Sequence, residues 1–358
     1  MPTTSKVKAI PLRLSEDDAR LLRERAGKAG LSMNAYARRA LVGLNGGAEA
    51  TCAPSIEGAD DTPLMAPPVP FPPAFRKTFR WAWEDGPDAL VNAGRHVLLR
   101  GIQGGGKTQW ALGTAQRLGR PFYTFTCHAG VTSETVEGGY MPFVSGGQVI
   151  VRAVDGLLTS AIRQAAIPPG AVLNVEEITR MDGDLQGRFL SALDPKRGVF
   201  DVVYRRGAVP VPDGFLCLAT GNPVGQEFKG VGDIDNALLR RFAVFDVPDP
   251  TEAELTTFAK TLALPKDVRD PLVKTAATSY EKYRSGETDN VVSPGDMAMF
   301  ADSLAGGAPE RTAFFAVIAN KFCNRETPDD ARKYREGMWE DYTGRKPVVV
   351  PVPEGGAA

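Results

Sequence analysis

The sequence predicts an α/β fold in which helices cover a mainly parallel sheet, a helical lid follows the sheet, and a small separate unit precedes it. Short β-rich runs alternate with helical stretches between residues 95 and 247, which is typical of a parallel sheet between helices. From residue 251 to residue 342 the hydrophobic pattern is mostly helical. Residues 1–45 have their own pattern of one strand followed by two helices.

The length of 358 residues and the changes of pattern predict five segments. They are a strand–helix–helix unit (1–45), a proline-rich extended linker (46–75), an α/β core (76–248), a helical lid (249–345) and a flexible tail (346–358). Within the core we expect five strands, at Val97–Leu99, Phe122–Thr126, Val172–Val175, Phe215–Ala219 and Ala243–Val247. Residues 75–81 alternate aromatic with basic side chains, which favours the start of the first amphipathic core helix over a nucleic-acid contact.

Composition excludes several classes of protein. The four cysteines lie far apart without a C-x-x-C pair and there are two histidines, so neither a zinc site nor a disulfide framework is expected. No secretory leader is recognisable, and apolar stretches such as Ala313–Ala319 are too short to span a bilayer. We therefore expect a cytoplasmic protein without a membrane partner. The net charge is −1, but residues 1–45 carry nine basic against four acidic side chains, which predicts an anionic partner for that segment.

A glycine-rich octapeptide follows the first core strand directly and reads G-x-x-x-x-G-K-T. Its residues are Gly101, Ile102, Gln103, Gly104, Gly105, Gly106, Lys107 and Thr108. Glycines let the backbone wrap around phosphates, and the helix that follows adds its positive N-terminal end. The motif predicts ATP binding, with Lys107 reaching the β- and γ-phosphates and the Thr108 hydroxyl binding Mg²⁺.

The acidic pair Glu176-Glu177 comes directly after the apolar strand that includes Val172–Val175. A P-loop ATPase places its Walker B acids in this position. We therefore expect Glu176 to help hold Mg²⁺ and Glu177 to polarise the attacking water. An ordinary solvated pair is the alternative, and the apolar run in front of the two acids disfavours it.

Two further motifs follow the next core strand. Asn222 stands at the end of the strand Phe215–Ala219, where an asparagine is either a turn former or a polar group aimed at a ligand. Arg240 and Arg241 lie in the segment Asn236–Phe242. Adjacent arginines on a helix are usually solvated, so any catalytic role for them depends on the order of the motifs.

Taken in order, these motifs make residues 75–345 resemble an AAA+ ATPase of the MoxR or dynein-related branch, close to the cobaltochelatase small subunit. The resemblance implies that Asn222 is the sensor 1 residue and that Arg240 or Arg241 is an arginine finger for the neighbouring subunit. It further implies a homo-oligomeric, hexameric ring. It also implies conformational work on another protein, in this branch often a von Willebrand factor A-domain partner.

The chain departs from this family in two places. Most relatives have Asp where this chain has Glu176. In the lid, relatives show Ser-Pro-Arg where this chain has Ser-Pro-Gly-Asp at residues 293–296, so the sensor 2 arginine is missing. Either Arg284 or Arg311 covers the phosphate instead, or the coupling between hydrolysis and lid movement is weakened.

An insertion ahead of the acidic pair resembles the hairpin of the same branch. Its two arms are Gly138–Phe143 and Gly146–Val151. In that branch such hairpins point toward the ring pore or a partner, which implies that Tyr140 and Phe143 contact a client. Packing within the hairpin is an equal alternative.

Residues 1–45 resemble the ribbon-helix-helix DNA-binding domains, on the strength of residues 10–14, the turn at residues 30–32 and Asn34. In that family two strands pair across a dimer and enter the major groove of double-stranded DNA. Arg13 is then the expected base reader, because Ala9 and Pro11 offer no hydrogen bonds. Ser32 and Asn34 stand at the second helix, whose N-terminus would hold a phosphate. A helical hairpin used only for dimerisation is the alternative.

Together these interpretations give one main hypothesis and two alternatives. The main hypothesis is an ATP-hydrolysing ring ATPase that remodels a protein client and has a DNA-binding head. One alternative is a DNA-acting ATPase in replication, partition, mobilisation or packaging. The other is an ATP-responsive DNA-binding regulator with little turnover. A phage or plasmid origin fits such a fusion of segments.

Overall fold

The computed structural model describes residues 63–71, 79–128, 130–145, 148–205, 207–222, 234–323 and 327–344. Nine strands occur in these ranges, namely β1 (Val97–Arg100), β2 (Phe122–Thr126), β3 (Gly138–Ser145), β4 (Gln148–Asp155), β5 (Ala171–Glu176), β6 (Val199–Val202), β7 (Gly207–Pro210), β8 (Phe215–Gly221) and β9 (Ala243–Asp246). The five strands predicted from the apolar runs are all present, and their ends differ from the prediction by at most two residues. Such differences at element ends are ordinary.

The five-stranded sheet has the order β2-β5-β8-β1-β9, and every neighbouring pair is parallel. The predicted parallel sheet is therefore confirmed. The strand that carries the glycine-rich loop, β1, is separated from the strand that carries the acidic pair, β5, by β8. All seven residues of β8 are buried, as expected for a central strand covered on both faces.

Eleven α-helices occur in the described ranges: α1 (Asp85–Asn92), α2 (Lys107–Arg117), α3 (Ser133–Val136), α4 (Leu157–Ala165), α5 (Gly183–Ala192), α6 (Asn236–Leu239), α7 (Glu252–Thr261), α8 (Lys266–Arg284), α9 (Pro294–Ala305), α10 (Glu310–Val317) and α11 (Pro328–Thr343). One apolar cluster packs α4 and α5 onto the sheet. A second cluster packs α1 and α2 onto it. The parallel sheet is thus covered by helices, which is the layered α/β arrangement.

The lid consists of α7 to α11 and has an apolar core of its own, centred on Phe300, Phe314, Tyr280 and Tyr342. A capping box stands at the start of the lid, where Thr251 and Glu254 bond reciprocally at the first turn of α7. The helical pattern predicted between residues 251 and 342 is confirmed.

The hairpin is a separate compact unit, in which β3 and β4 pair antiparallel from Gly138 opposite Asp155 to Ser145 opposite Gln148. Leu64 adds a short bridge beside Val154. The two-stranded form predicted for the inserted segment is confirmed. Tyr140 is 57% exposed and Phe143 is half-buried, so the two aromatic residues named as client contacts have different environments.

A small antiparallel pair, β6 with β7, completes the strands of the core. Part of the predicted linker contacts the core: the amide of Val69 donates to the carbonyl of Phe122 at 2.7 Å, and the rings of Phe71 and Phe122 are in contact. None of the helices in the described ranges is long and apolar enough to span a lipid bilayer.

The prediction that a helix starts within residues 75–81 is wrong for the part that the structure describes. Residues 79–81 are not helical, and α1 begins at Asp85 after a 3₁₀ turn at Ala82–Glu84. The amide of Trp81 donates to the Glu84 carboxylate at 2.9 Å. This bond caps the 3₁₀ turn, so Trp81 precedes the turn and is not part of it. The alternation of aromatic and basic side chains instead reflects packing, since Trp81 is buried.

Candidate active site

The glycine-rich loop lies between β1 and α2 and has a backbone that needs glycine at two positions. Gly104 has φ of +75° and Gly106 has φ of +86°, both in the left-handed region that side chains avoid. A Cβ atom at Gly106 would also stand 2.9 Å from the indole nitrogen of Trp81. Gly106 caps the N-terminus of α2, so the first amides of this helix are available to an anion.

Lys107 is buried, and its ammonium donates to the carbonyl oxygens of Gly101 at 2.8 Å and Ile102 at 2.7 Å. Burial lowers the pKa of Lys107 to about 8, and the negative charge of Glu177 opposes part of that shift. The ammonium of Lys107 is thus bonded to uncharged carbonyl oxygens inside the loop. Phosphate oxygens would be stronger acceptors for the same ammonium.

Glu176 is the last residue of β5 and is oriented by the neighbouring strand. The sheet register places Thr126 of β2 beside it, and the Thr126 hydroxyl donates to Glu176 Oε2 at 3.0 Å. Asn174 donates to the other carboxylate oxygen at 3.4 Å. The Glu176 carboxylate is therefore held in place by two polar side chains.

Glu177 follows directly and takes a backbone φ of +53°, which is unusual for a residue with a side chain. This conformation costs about 1–2 kcal/mol and turns the side chain away from the direction of the strand. Asn222, one residue beyond β8, donates from Nδ2 to Glu177 Oε2 at 3.1 Å. Arg180 lies 3.6 Å from the same oxygen. The structure thus brings the predicted water activator and the predicted sensor together.

Two buried polar atoms next to this pair lack a hydrogen-bond partner among the described residues. They are Oδ1 of Asn222 and Oγ1 of Thr179. The Thr179 side chain lies next to Gly221, the residue before Asn222, and would contact a Cβ atom at that position. Since buried polar groups are normally satisfied, these atoms mark a place suited to water or a polar ligand.

The residues named for Mg²⁺ have the right chemistry for it. Thr108 is exposed at the start of α2, and Glu176 presents a held carboxylate at the edge of the same sheet. Hydroxyl and carboxylate oxygens are the donors that this hard cation prefers, together with substrate phosphates. The donor set therefore fits the ion that a phosphate-binding loop requires.

The two arginines beyond α6 have different environments. Arg241 is half-buried and pairs with Asp194 at 2.8 Å, which ties it to the end of α5. Arg240 is exposed, and no ion-pair partner for it occurs among the described residues. The neighbouring residues Leu238 and Phe242 are buried and fix the backbone between them.

The N-terminus of α9 brings the lid onto the glycine-rich loop. A Cβ atom added to Gly104 would overlap the side chain of Ser293, so the two chain segments are in direct contact. Each of the two arginines considered as substitutes for sensor 2 is engaged by an acid. Arg284 pairs with Asp249 at 3.3 Å, and Arg311 pairs with Glu336 at 2.6 Å.

A narrow apolar cleft with about 10 Å³ of free volume, no more than one water molecule needs, lies beside the loop. Its walls are Trp81, Trp83, Ile102, Gly105, Val247, Pro248, Pro250 and Pro294. The sequence analysis did not find these residues as a site, because they come from four distant segments of the chain. The two tryptophans in a short stretch before the first core strand are the sequence feature that could have pointed to it.

The three residues named for DNA contact, Arg13, Ser32 and Asn34, lie outside the described residues. So does the whole segment 1–45, which was predicted to resemble ribbon-helix-helix domains.

Residues 96–242 match the family described as AAA domain, dynein-related subfamily. This segment is thus similar to AAA domains in its sequence and in the order of its motifs along the sheet.

Two curated relatives extend the comparison. The chain is 30% identical to protein NorQ of Paracoccus denitrificans over 182 residues, which are 50% of this chain and 63% of NorQ. It is 25% identical to the denitrification regulatory protein NirQ of Stutzerimonas stutzeri over 270 residues, 74% of this chain and 88% of NirQ. These matches support the predicted AAA+ ATPase of MoxR type. Among solved structures, a RuvB mutant of Thermotoga maritima aligns over 73% of this chain and 69% of its own, with a TM-score of 0.41 and 16% identity.

Proposed function

We propose that the chain binds and hydrolyses ATP as a ring-forming AAA+ ATPase of MoxR type, that it remodels a protein client, and that residues 1–45 form a head for double-stranded DNA. The observation that carries the proposal is the hydrogen bond between Asn222 Nδ2 and Glu177 Oε2 at the carboxyl end of the sheet. It joins a carboxylate to the polar group that would align a water molecule beside it.

The glycine-rich loop supplies the seat for the phosphates of the nucleotide. They would lie along the amides of residues 104–108. Lys107 would exchange the carbonyl oxygens of Gly101 and Ile102 for β- and γ-phosphate oxygens.

In this seat each acid has one task. Glu176 and Thr108 would hold Mg²⁺, which neutralises charge that develops on the phosphates. Glu177 would take a proton from the attacking water, while Asn222 aligns that water. The buried unpaired oxygen of Asn222 supports this role, because it is an acceptor that a water molecule would satisfy.

Of the two arginines, we assign the finger to Arg240. Its exposure makes it accessible to a neighbouring subunit, whereas Arg241 is engaged by Asp194. A finger acting in trans requires a homo-oligomer, so the assignment ties hydrolysis to a ring, which we take to be hexameric.

The client and the head are the parts of the proposal that go furthest beyond the site. The exposed Tyr140 of the hairpin is an aromatic anchor suited to a protein partner, such as a von Willebrand factor A-domain protein. The excess of positive charge in residues 1–45, with Arg13, Ser32 and Asn34, supports a polyanionic partner for the head.

The test is steady-state ATP hydrolysis by the purified full chain, with and without double-stranded DNA at moderate salt. Glu177→Gln keeps the shape of the side chain but cannot accept a proton, so we expect turnover to fall at least about 100-fold while ATP still binds. Glu134→Gln, an exposed acid outside the site, is the matched control and should leave turnover unchanged.

Each outcome separates the three hypotheses. Turnover that depends on Glu177 and ignores DNA supports the client-remodelling ATPase. Strong stimulation by DNA supports the DNA-acting ATPase instead. ATP binding without turnover above that of Glu177→Gln would sink hydrolysis by the chain alone and leave the ATP-responsive regulator.

A further inference from the structure

The start of lid helix α9 lies directly on the loop that would hold the phosphates. The side chain of Ser293 occupies the space above Gly104, and a Cβ atom at Gly295 would stand 3.7 Å from the Gly104 Cα. Any cation at this end of the lid is therefore close to the phosphate seat. Gly295 itself supplies none.

A triphosphate carries several negative charges, and in the core the loop offers one cation, Lys107. In the lid, Arg284 is engaged by Asp249 and Arg311 by Glu336. Lys321 is a lid cation that reaches the start of α9. Its ammonium forms an ion pair with Asp296 Oδ1.

Asp296 connects Lys321 to the loop. Its other carboxylate oxygen accepts from the amide of Ser293 at 2.9 Å and from the Ser293 hydroxyl at 2.8 Å. The Asp296 side chain is 10% exposed, whereas that of Lys321 is 42% exposed. The acid is thus fixed by the helix cap, and the lysine is the mobile partner of the pair.

We propose that Lys321 is the lid residue that contacts the phosphates of ATP, and that Asp296 holds its ammonium beside the loop until the nucleotide arrives. The inference rests on the proposed ATP binding. The Lys321 backbone is anchored, because Asn290 Nδ2 donates to its carbonyl at 2.9 Å. The four-carbon stem of a lysine can turn its ammonium from one anion to a neighbouring one without moving the backbone.

The first experiment compares the affinities of the full-length Lys321→Ala variant for ATP and for adenosine with those of the unmodified protein. We expect ATP binding to weaken about tenfold, the loss of one charge-assisted hydrogen bond, and adenosine binding to stay unchanged. Lys274→Ala, an exposed lysine of the same lid, is the matched control and should change neither. Gly295→Arg added to Lys321→Ala should recover the ATP affinity, because it places a cation beside Gly104.

A double-mutant cycle with Asp296→Asn excludes a simpler explanation, in which Lys321 only neutralises a buried acid. Asparagine keeps an oxygen for the Ser293 cap. Asp296→Asn alone should raise ATP affinity, and the double variant should remain weaker than Asp296→Asn by about tenfold. A double variant that binds ATP as tightly as Asp296→Asn overturns the inference, and so does an equal loss for ATP and adenosine in Lys321→Ala.

The Lys107→Ala variant distinguishes a wrong role for Lys321 from a wrong proposed function. If Lys107→Ala abolishes ATP binding and Lys321→Ala leaves it unchanged, only the role of Lys321 is wrong. If the unmodified protein binds no ATP, the proposed function and the role of Lys321 fall together.

Discussion

The sheet edge and the lid hold their charged groups by different means. At the sheet edge, Glu176 is held by Thr126 of β2, and Glu177 is held by Asn222, which follows β8. These partners lie 50 and 45 residues away along the chain. In the lid, the acids at the starts of α7, α9 and α11 bond to the serine or threonine three residues before them.

The difference lies in what must change before a charge can move. Strand register fixes the carboxylates at the sheet edge, and a shift of register would break a whole ladder of hydrogen bonds. Local caps stabilise each lid helix by about 1 kcal/mol but do not fix where that helix lies. We infer that the sheet edge is built for a constant geometry, whereas the lid makes contacts that can be exchanged when a nucleotide binds.

The arginines after α6 offer the strongest test of the constant geometry inferred for the sheet edge. We expect Arg240→Ala to lower ATP turnover by about 1000-fold or more, because an arginine finger stabilises transition-state charge. Arg241→Ala should instead lower stability, because it leaves Asp194 half-buried without its partner. The measurements are steady-state turnover and the thermal midpoint of unfolding for each variant.

Mixing two inactive variants tests whether Arg240 acts in trans. Equal amounts of Arg240→Ala and Glu177→Gln subunits should regain up to about a quarter of normal turnover, since one in four neighbouring pairs in a random ring has a complete site. No recovery in mixed assemblies of proven composition would contradict a finger donated by Arg240.

The sequence was sufficient for the sheet edge because its groups follow strands that are easy to recognise. Apolar runs predicted all five strands. The carboxyl ends of parallel strands share one edge, which explains why the acids and Asn222 lie close together. The adjacent arginines could not be separated in the sequence. Only packing distinguishes them, since Asp194 engages Arg241 and leaves Arg240 exposed.

The contacts of the lid with the loop could not be predicted in the same way. Gly104 and Ser293 are far apart in the sequence, and their approach depends on the packing of whole helices rather than on any local pattern. The same holds for Lys321, which reaches Asp296 from a 3₁₀ turn at Ala319–Phe322. The apolar cleft was missed for this reason as well.

The pH dependence of ATP affinity tests the loop between these two parts. Burial lowers the pKa of Lys107 to about 8 from an ordinary value of 10.5, so without nucleotide the lysine loses its charge as pH rises through 8. Phosphates require the charged form and would raise that pKa again. ATP affinity should therefore be constant below pH 7 and fall about tenfold between pH 7 and pH 9.

Calorimetry in buffers of different ionisation enthalpy checks the origin of this change. Binding at pH 9 should take up close to one proton per ATP, and binding at pH 7 close to none. The Lys321→Ala variant is the control, since its loop lysine is intact and the same uptake is expected. Constant affinity up to pH 10 would show that Lys107 keeps its charge without nucleotide.

The smallest expected effect compares two buried tyrosines of the lid. Tyr342 donates its hydroxyl to Glu310 at 2.8 Å, whereas the buried Tyr280 hydroxyl has no hydrogen-bond partner among the described residues. Tyr342→Phe should lower the free energy of unfolding by about 1–2 kcal/mol, and Tyr280→Phe should leave it unchanged or raise it slightly. Denaturant unfolding without nucleotide measures both. A loss of stability for Tyr280→Phe equal to that for Tyr342→Phe would mean that the Tyr280 hydroxyl does form a hydrogen bond in the lid.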